Sequence, residues 1–248
     1  MILGMEIRQL YRRAPIIEAL IDFRVQLPEH VGLDTLMRID IDYPTREDIN
    51  VLESQISLGP AVGASASQTQ VGYRFVNDDK RQIIQMSLQN FTFSRLEPYD
   101  CWETFRDEAQ RLWEIYSSAV QPKTITRIAV RYINRLNIPF APLLPLDLKD
   151  YLRTVPEVSP DLTQGLSNYF MQLQIPQDDI ASLLILNQAL VPPTNSEVVS
   201  ILLDIDLFRE VNLIDNDDQA WGILELLCVR KDKVFEACIT DRMRELID

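Results

Sequence analysis

Residues 124–138 read TITRIAVRYINRLNI, and residues 16–27 read IIEALIDFRVQL. Both alternate. In the first, Thr126, Ile128, Val130 and Tyr132 fall on one side and Arg127, Arg131 and Arg135 on the other. In the second, Ile17, Ala19, Ile21, Phe23 and Val25 oppose Glu18, Leu20, Asp22, Arg24 and Gln26. A period of two is that of a β-strand with one apolar face, so each segment predicts a long strand with a charged back.

Reading outward, each strand opens a similar series. After Pro28 a short helix is expected over residues 33–39, then a hairpin of residues 71–76 and 82–93 about the turn Asn77-Asp78-Asp79-Lys80. The small, polar stretch LGPAVGASASQTQ (58–70) reads as a loop. A helix follows Asp100, with Glu103 at capping-box spacing, and an apolar stripe of Trp102, Phe105, Ala109, Leu112, Tyr116 and Ala119. Trp113 falls off that stripe, toward a partner or the other half. Beyond residue 138, a short helix is expected over 146–152 and strands over 169–175, 181–189 and 198–208. A broken C-terminal helix begins at Asp217-Asp218 and turns Ala220, Ile223, Leu224, Leu227, Lys231, Val234 and Phe235 inward.

The order strand, short helix, strands, long helix thus occurs twice. Residues 17–21 match 127–131, and MSLQNFTF (86–93) matches ILLDIDLF (201–208). The fold class is α+β: a mainly antiparallel sheet with long amphipathic helices on one face. Two pseudo-symmetric halves, 1–122 and 123–248, form two units or one continuous domain.

Composition narrows the function classes. The chain has 248 residues, 46% of them hydrophobic and 25% charged, which is ordinary for a globular protein. Its net charge of −13 opposes general binding to nucleic acid or to an anionic membrane. No apolar run is long enough for a signal peptide or a membrane span, so the expected compartment is the cytoplasm. Cys101, Cys228 and Cys238 lack metal-ligand or disulfide spacing and read as small hydrophobes. His30 is the single histidine and sits at a strand end, and the seven glycines form no phosphate loop.

What remains is charge on the strand backs. Arg127, Arg131 and Arg135 stand about 13 Å apart at successive positions, too far to grip one phosphate. They form either a groove for a polyanion or acidic segment, or a ladder paired with Glu18, Asp22, Asp204 and Asp206. Asp204 and Asp206, about 7 Å apart on one strand face, suit a shared Mg²⁺ or two arginines equally. No third acidic ligand supports the metal, and no cofactor is expected.

The stretches A-P-I-I-E-A-L-I-D-F-R (14–24), Y-x-x-W-E-x-F (99–105), R-I-A-V-R-Y-I-N-R (127–135), L-L-D-I-D (202–206) and F-E-A-C-I-T-D (235–241) follow in order. Together they resemble a sporadically distributed family of uncharacterised bacterial proteins that share A-P-I-x-E-A and R-Y-I-N-R. The resemblance implies no catalytic residue, and its patchy distribution associates it with defence- or conflict-related genes. Two functions stay open: a non-enzymatic interaction or accessory protein with a protein partner, or a small-ligand or nucleotide-binding protein, Mg²⁺-dependent in one version. In the second, Arg24, Arg127, Arg131, Asp204 and Asp206 line the concave sheet face.

Overall fold

A computed structural model describes residues 11–57, 63–140, 146–159, 161–162, 166–214 and 217–248. Nine strands, β1 (Ile16–Gln26), β2 (Thr45–Ser57), β3 (Gly63–Val76), β4 (Gln82–Ser87), β5 (Asn90–Leu96), β6 (Thr124–Pro139), β7 (Phe170–Gln177), β8 (Ser182–Val191) and β9 (Val198–Leu213), form one sheet. Its order is β2-β3-β4-β5-β1-β6-β9-β8-β7, and every neighbouring pair is antiparallel. The helices are α1 (Leu33–Met37), α2 (Trp102–Val120), α3 (Asp217–Cys238) and α4 (Asp241–Ile247). The chain is therefore mainly antiparallel sheet with a smaller helical share.

The two opening segments meet at the centre of the sheet. β1 pairs with β6 so that Ile21 faces Val130 and Phe23 faces Ile128. From that seam β5, β4, β3 and β2 run out on one side, and β9, β8 and β7 on the other. Each half starts at the centre, jumps to an edge and returns strand by strand before its long helix. The boundary at 122/123 falls between α2 and β6, and both halves share one sheet.

The alternation decides which face is covered. Ala19, Ile21 and Phe23 of β1, Ile128, Val130 and Tyr132 of β6, and Leu203, Ile205 and Leu207 of β9 are buried beneath the helices. α3 lies over β6 and β9, and α2 over β5. A register shift between Ile125 and Arg127 turns Ile125, rather than Thr126, toward the core. Trp113 is buried against Phe23 and donates to Asp217 at 3.1 Å, which ties α2 to α3.

Several expectations need correction. Residues 63–70 are strand and not loop; residues 58–62 lie outside the described residues. β2 has no apolar period to betray it, because TREDINVLESQIS sits at an edge with exposed side chains at Val51 and Leu52. Gly72 opposes β4 so closely that a Cβ would lie 2.2 Å from Met86 O, so this crossing requires glycine. The run 82–93 breaks into two strands at Leu88-Gln89, where Ser87 Oγ accepts from the backbone N–H groups of Gln89 and Asn90 at 3.1 and 3.0 Å. The match of 86–93 to the uninterrupted β9 therefore fails in register. No capping box forms at α2: its N-cap is Cys101 without a side-chain cap, and Asp100 pairs with Arg95 at 2.7 Å. Ala119 is exposed, and Val120 closes the stripe instead. The break in the C-terminal helix falls at Ile239-Thr240, where Ile239 bridges to Leu152.

Candidate functional site: a charged ladder and a cavity under the helices

The uncovered face of the seam carries the predicted charges. Arg127 donates to Asp22 at 2.9 Å, reaches Asp206 at 3.5 Å and lies over the Phe208 ring at 4.2 Å. Arg131 forks onto Asp204 through Nε and Nη2 at 2.8 and 2.7 Å. Asp204 also accepts from Asn187 at 2.9 Å, and Asp22 accepts from Thr92 at 2.7 Å. Cross-strand charges so held fix register, since a slip of one residue would strand them.

The remaining members are not gathered into the ladder. Arg24 is exposed opposite Arg127 and forms no ion pair among the described residues. Arg135 likewise has none there, and its Nε is buried without a hydrogen bond. The hydrogen bonds that Arg131 donates to Asp204 are the main cause of its raised pKa, and Glu18, which stands opposite Ile133, adds a smaller Coulombic contribution. Burial raises the Asp206 carboxyl, against the lowering pull of Arg127 and Arg131. A hollow of about 630 Å³ lies between Arg24, Asn90 and Arg127. Asp204 and Asp206 both face arginines, and among the described residues no cluster of three or more His, Cys, Asp or Glu could hold a metal. On this face Arg127 and Arg131 are paired with aspartates, while Arg24 beside the hollow and Arg135 form no ion pair among the described residues.

Under the helices lies a cavity of about 600 Å³ that no charge pattern announces. Its floor is β6, whose core-facing row continues from Tyr132 to Asn134. The turn between β5 and α2 supplies Pro98, after a cis peptide, and Tyr99; α2 supplies Trp102; α3 supplies Lys231, Asp232 and Phe235; residues 11–16 close the mouth. Tyr99 and Tyr132 share a hydroxyl–hydroxyl hydrogen bond of 2.9 Å, and burial raises the pKa of both phenols. Lys231 holds its ammonium 3.8 Å from the Tyr132 ring centroid and pairs with Asp232.

Several of the remaining polar groups are spent. Trp102 gives its indole N–H to Glu225 at 2.9 Å. Glu236 receives Tyr11 at 2.6 Å and Arg244 at 2.7 Å. Asn134 donates to the carbonyls of Tyr132 and Leu203 at 3.3 and 3.1 Å, while its Oδ1 accepts no hydrogen bond among the described residues. Those two carbonyls fix the orientation of the amide, because the flipped form would set oxygen against oxygen. Asn134 is 2% exposed as a whole, yet Arg135 Nε is the one fully buried side-chain polar atom left unpaired among the described residues, so Asn134 Oδ1 keeps access to the cavity it lines.

The sequence does hold a signal for this cavity. Asn134 and Lys231 occupy inward positions of an otherwise apolar strand row and helix stripe, and a polar residue in such a row needs a partner. Lys231 was expected to face inward and does; the cavity it borders has no sequence pattern of its own. Among the described residues no helix is long and apolar enough to cross a membrane. Compared with known protein families and with characterised proteins, the chain matches none.

Proposed function

We propose that this chain binds a small organic ligand in the cavity between β6, α2 and α3. The observation that carries the reading is the cavity itself: about 600 Å³, walled on one side by Tyr99, Trp102 and Phe235 and bordered by charged side chains that include Arg12, Glu97 and Lys231. Cavities of roughly 300–1,000 Å³ with aromatic walls and sparse polar groups are the usual form of small-molecule sites. The ligand site of this reading thus lies on the covered side of the sheet, while the Arg/Asp network on the other side is structural. Native mass spectrometry of protein gently purified from its own host tests this. A retained small mass is expected, and Ala14→Trp at the exposed mouth should deplete it. An empty chain, together with no binder from a fragment library, sinks the reading.

A second reading, an accessory protein that docks a protein partner, has its own support. Edge strand β7, FMQLQIPQ, carries no charge, leaves Phe170 70% exposed and leaves Ile175, on the core side, 38% exposed. Edges are ordinarily blunted by charge. The occupant we propose is an extended segment of a basic protein, drawn by the net charge of −13. Gln172→Lys with Gln174→Lys should abolish co-purification of such a protein while leaving the melting temperature unchanged; co-purification that survives both changes refutes the docking edge.

We also propose that the two halves arose by duplication, related by a twofold axis through the β1–β6 seam, and that the chain works in the cytoplasm. We further propose membership in the bacterial family sharing A-P-I-x-E-A and R-Y-I-N-R; because that second stretch begins at Arg131, relatives that carry it are expected to keep Asp204 as its partner.

A further inference from the structure

The groups left unspent around the cavity describe what would fill it. Three of its ionised groups are matched within the chain, Asp232 by Lys231, Glu236 by Arg244, and Asp100 by Arg95, while Arg12, Arg13 and Glu97 stand exposed along its lining. A ligand that carried its own charge down to the floor would have to break the Lys231–Asp232 pair or stay unpaired there, and either outcome is costly. The indole N–H of Trp102 is committed to Glu225. The Tyr99–Tyr132 pair uses one hydroxyl proton internally, and the Tyr132 ring face is taken by the Lys231 ammonium. Three features stay open: aromatic and apolar wall, the second hydroxyl proton of the tyrosine pair, and the Oδ1 acceptor of Asn134 on the floor.

We infer that the cavity takes an uncharged, planar aromatic molecule bearing an N–H or O–H, which donates to Asn134 Oδ1. The inference rests on the cavity reading above and adds to it the class of ligand and the residue that selects it. A ligand with the donor satisfies an acceptor that takes no hydrogen bond from the described residues. A ligand without it covers that acceptor and leaves it unpaired. Sites built to meet a donor reject analogues lacking it far more strongly than apolar walls reject a change of shape. Tyr99, Trp102 and Phe235 supply the stacking and edge contacts that favour a ring.

The test uses two matched probes, indole with 1-methylindole and phenol with anisole, titrated into the full chain by calorimetry and ligand-observed NMR. Indole and phenol should bind at least tenfold tighter than their methylated partners, about the worth of one buried hydrogen bond. In Asn134→Ala the ratio should fall to near one, with Ala14→Trp weakening both members of a pair alike. If Asn134→Ala does not fold, the wild-type ratios still decide. Equal affinities within each pair, with binding blocked by Ala14→Trp, would overturn the donor requirement and leave the cavity reading standing. Binding of no probe at millimolar concentration would remove both.

Discussion

Asp204 and Arg131 form a lopsided pair: the aspartate side chain is 3% exposed and the arginine 43%. Arg131→Ala should therefore cost more than Asp204→Ala. The first strands a carboxylate in the interior, at about 3–5 kcal/mol, while the second frees a guanidinium that water can reach. Urea unfolding of both variants decides it, and equal losses would show that the exposed arginine is not serving a buried anion. Arg131→Met combined with Asp204→Leu should recover most of the loss, because an apolar pair of similar size needs no compensation.

Asp206 makes a pH prediction of opposite sign to the usual salt-bridged aspartate. Burial raises its folded pKa above the unfolded value, so the folded chain takes up this proton first as pH falls. Its contribution to stability consequently improves on acidification through the window just above the ordinary aspartate range, and its cost is fullest at neutral pH. Asp206→Asn should flatten that part of the stability curve without destabilising the chain at pH 7. A curve of unchanged slope would contradict the assignment.

At the scale of elements, Trp113 is the joint between α2 and α3. It is 1% exposed, 4.6 Å from Phe23 and 5.6 Å from Phe91 by ring centroids. Trp113→Ala should cost about 3–5 kcal/mol. Trp113→Phe should cost less, losing chiefly the bond to Asp217; a melt in which the two variants coincide would mean the ring packing contributes little. Which elements were legible in the sequence follows the same physics of covered faces. β1 and β6 have one apolar face, so alternation exposed both. β2 has exposed residues on both sides and left no period to read. The turn at Leu88-Gln89 contains no Gly or Pro, and its geometry comes from Ser87, so the run looked continuous. The ladder was visible as charges on strand backs, though which arginine meets which aspartate depended on register, which only the fold supplies. Inward polar residues such as Lys231 marked a wall of the cavity, but its volume was illegible, because vacancy between three elements is not a property of any one of them.

The whole molecule is a single sheet whose halves do not close separately. Residues 1–122 alone would leave the inner edge of β1 bare, together with Asp22 lacking Arg127. That fragment should show no cooperative melt and no dispersed NMR spectrum, whereas mixing it with 123–248 should restore both. An independently folded 1–122 would make the seam an interface between two domains rather than the middle of one.

The seam also sets a clock. Asp22 and Arg127 are 105 positions apart, and synthesis proceeds at roughly 5–20 residues per second. The newborn β1 therefore waits about 5–20 s for the strand that will lie beside it, with an apolar, hydrogen-bond-hungry edge on view throughout. During that interval β1 is open to pairing with a neighbouring chain unless β5 and α2 shelter it first.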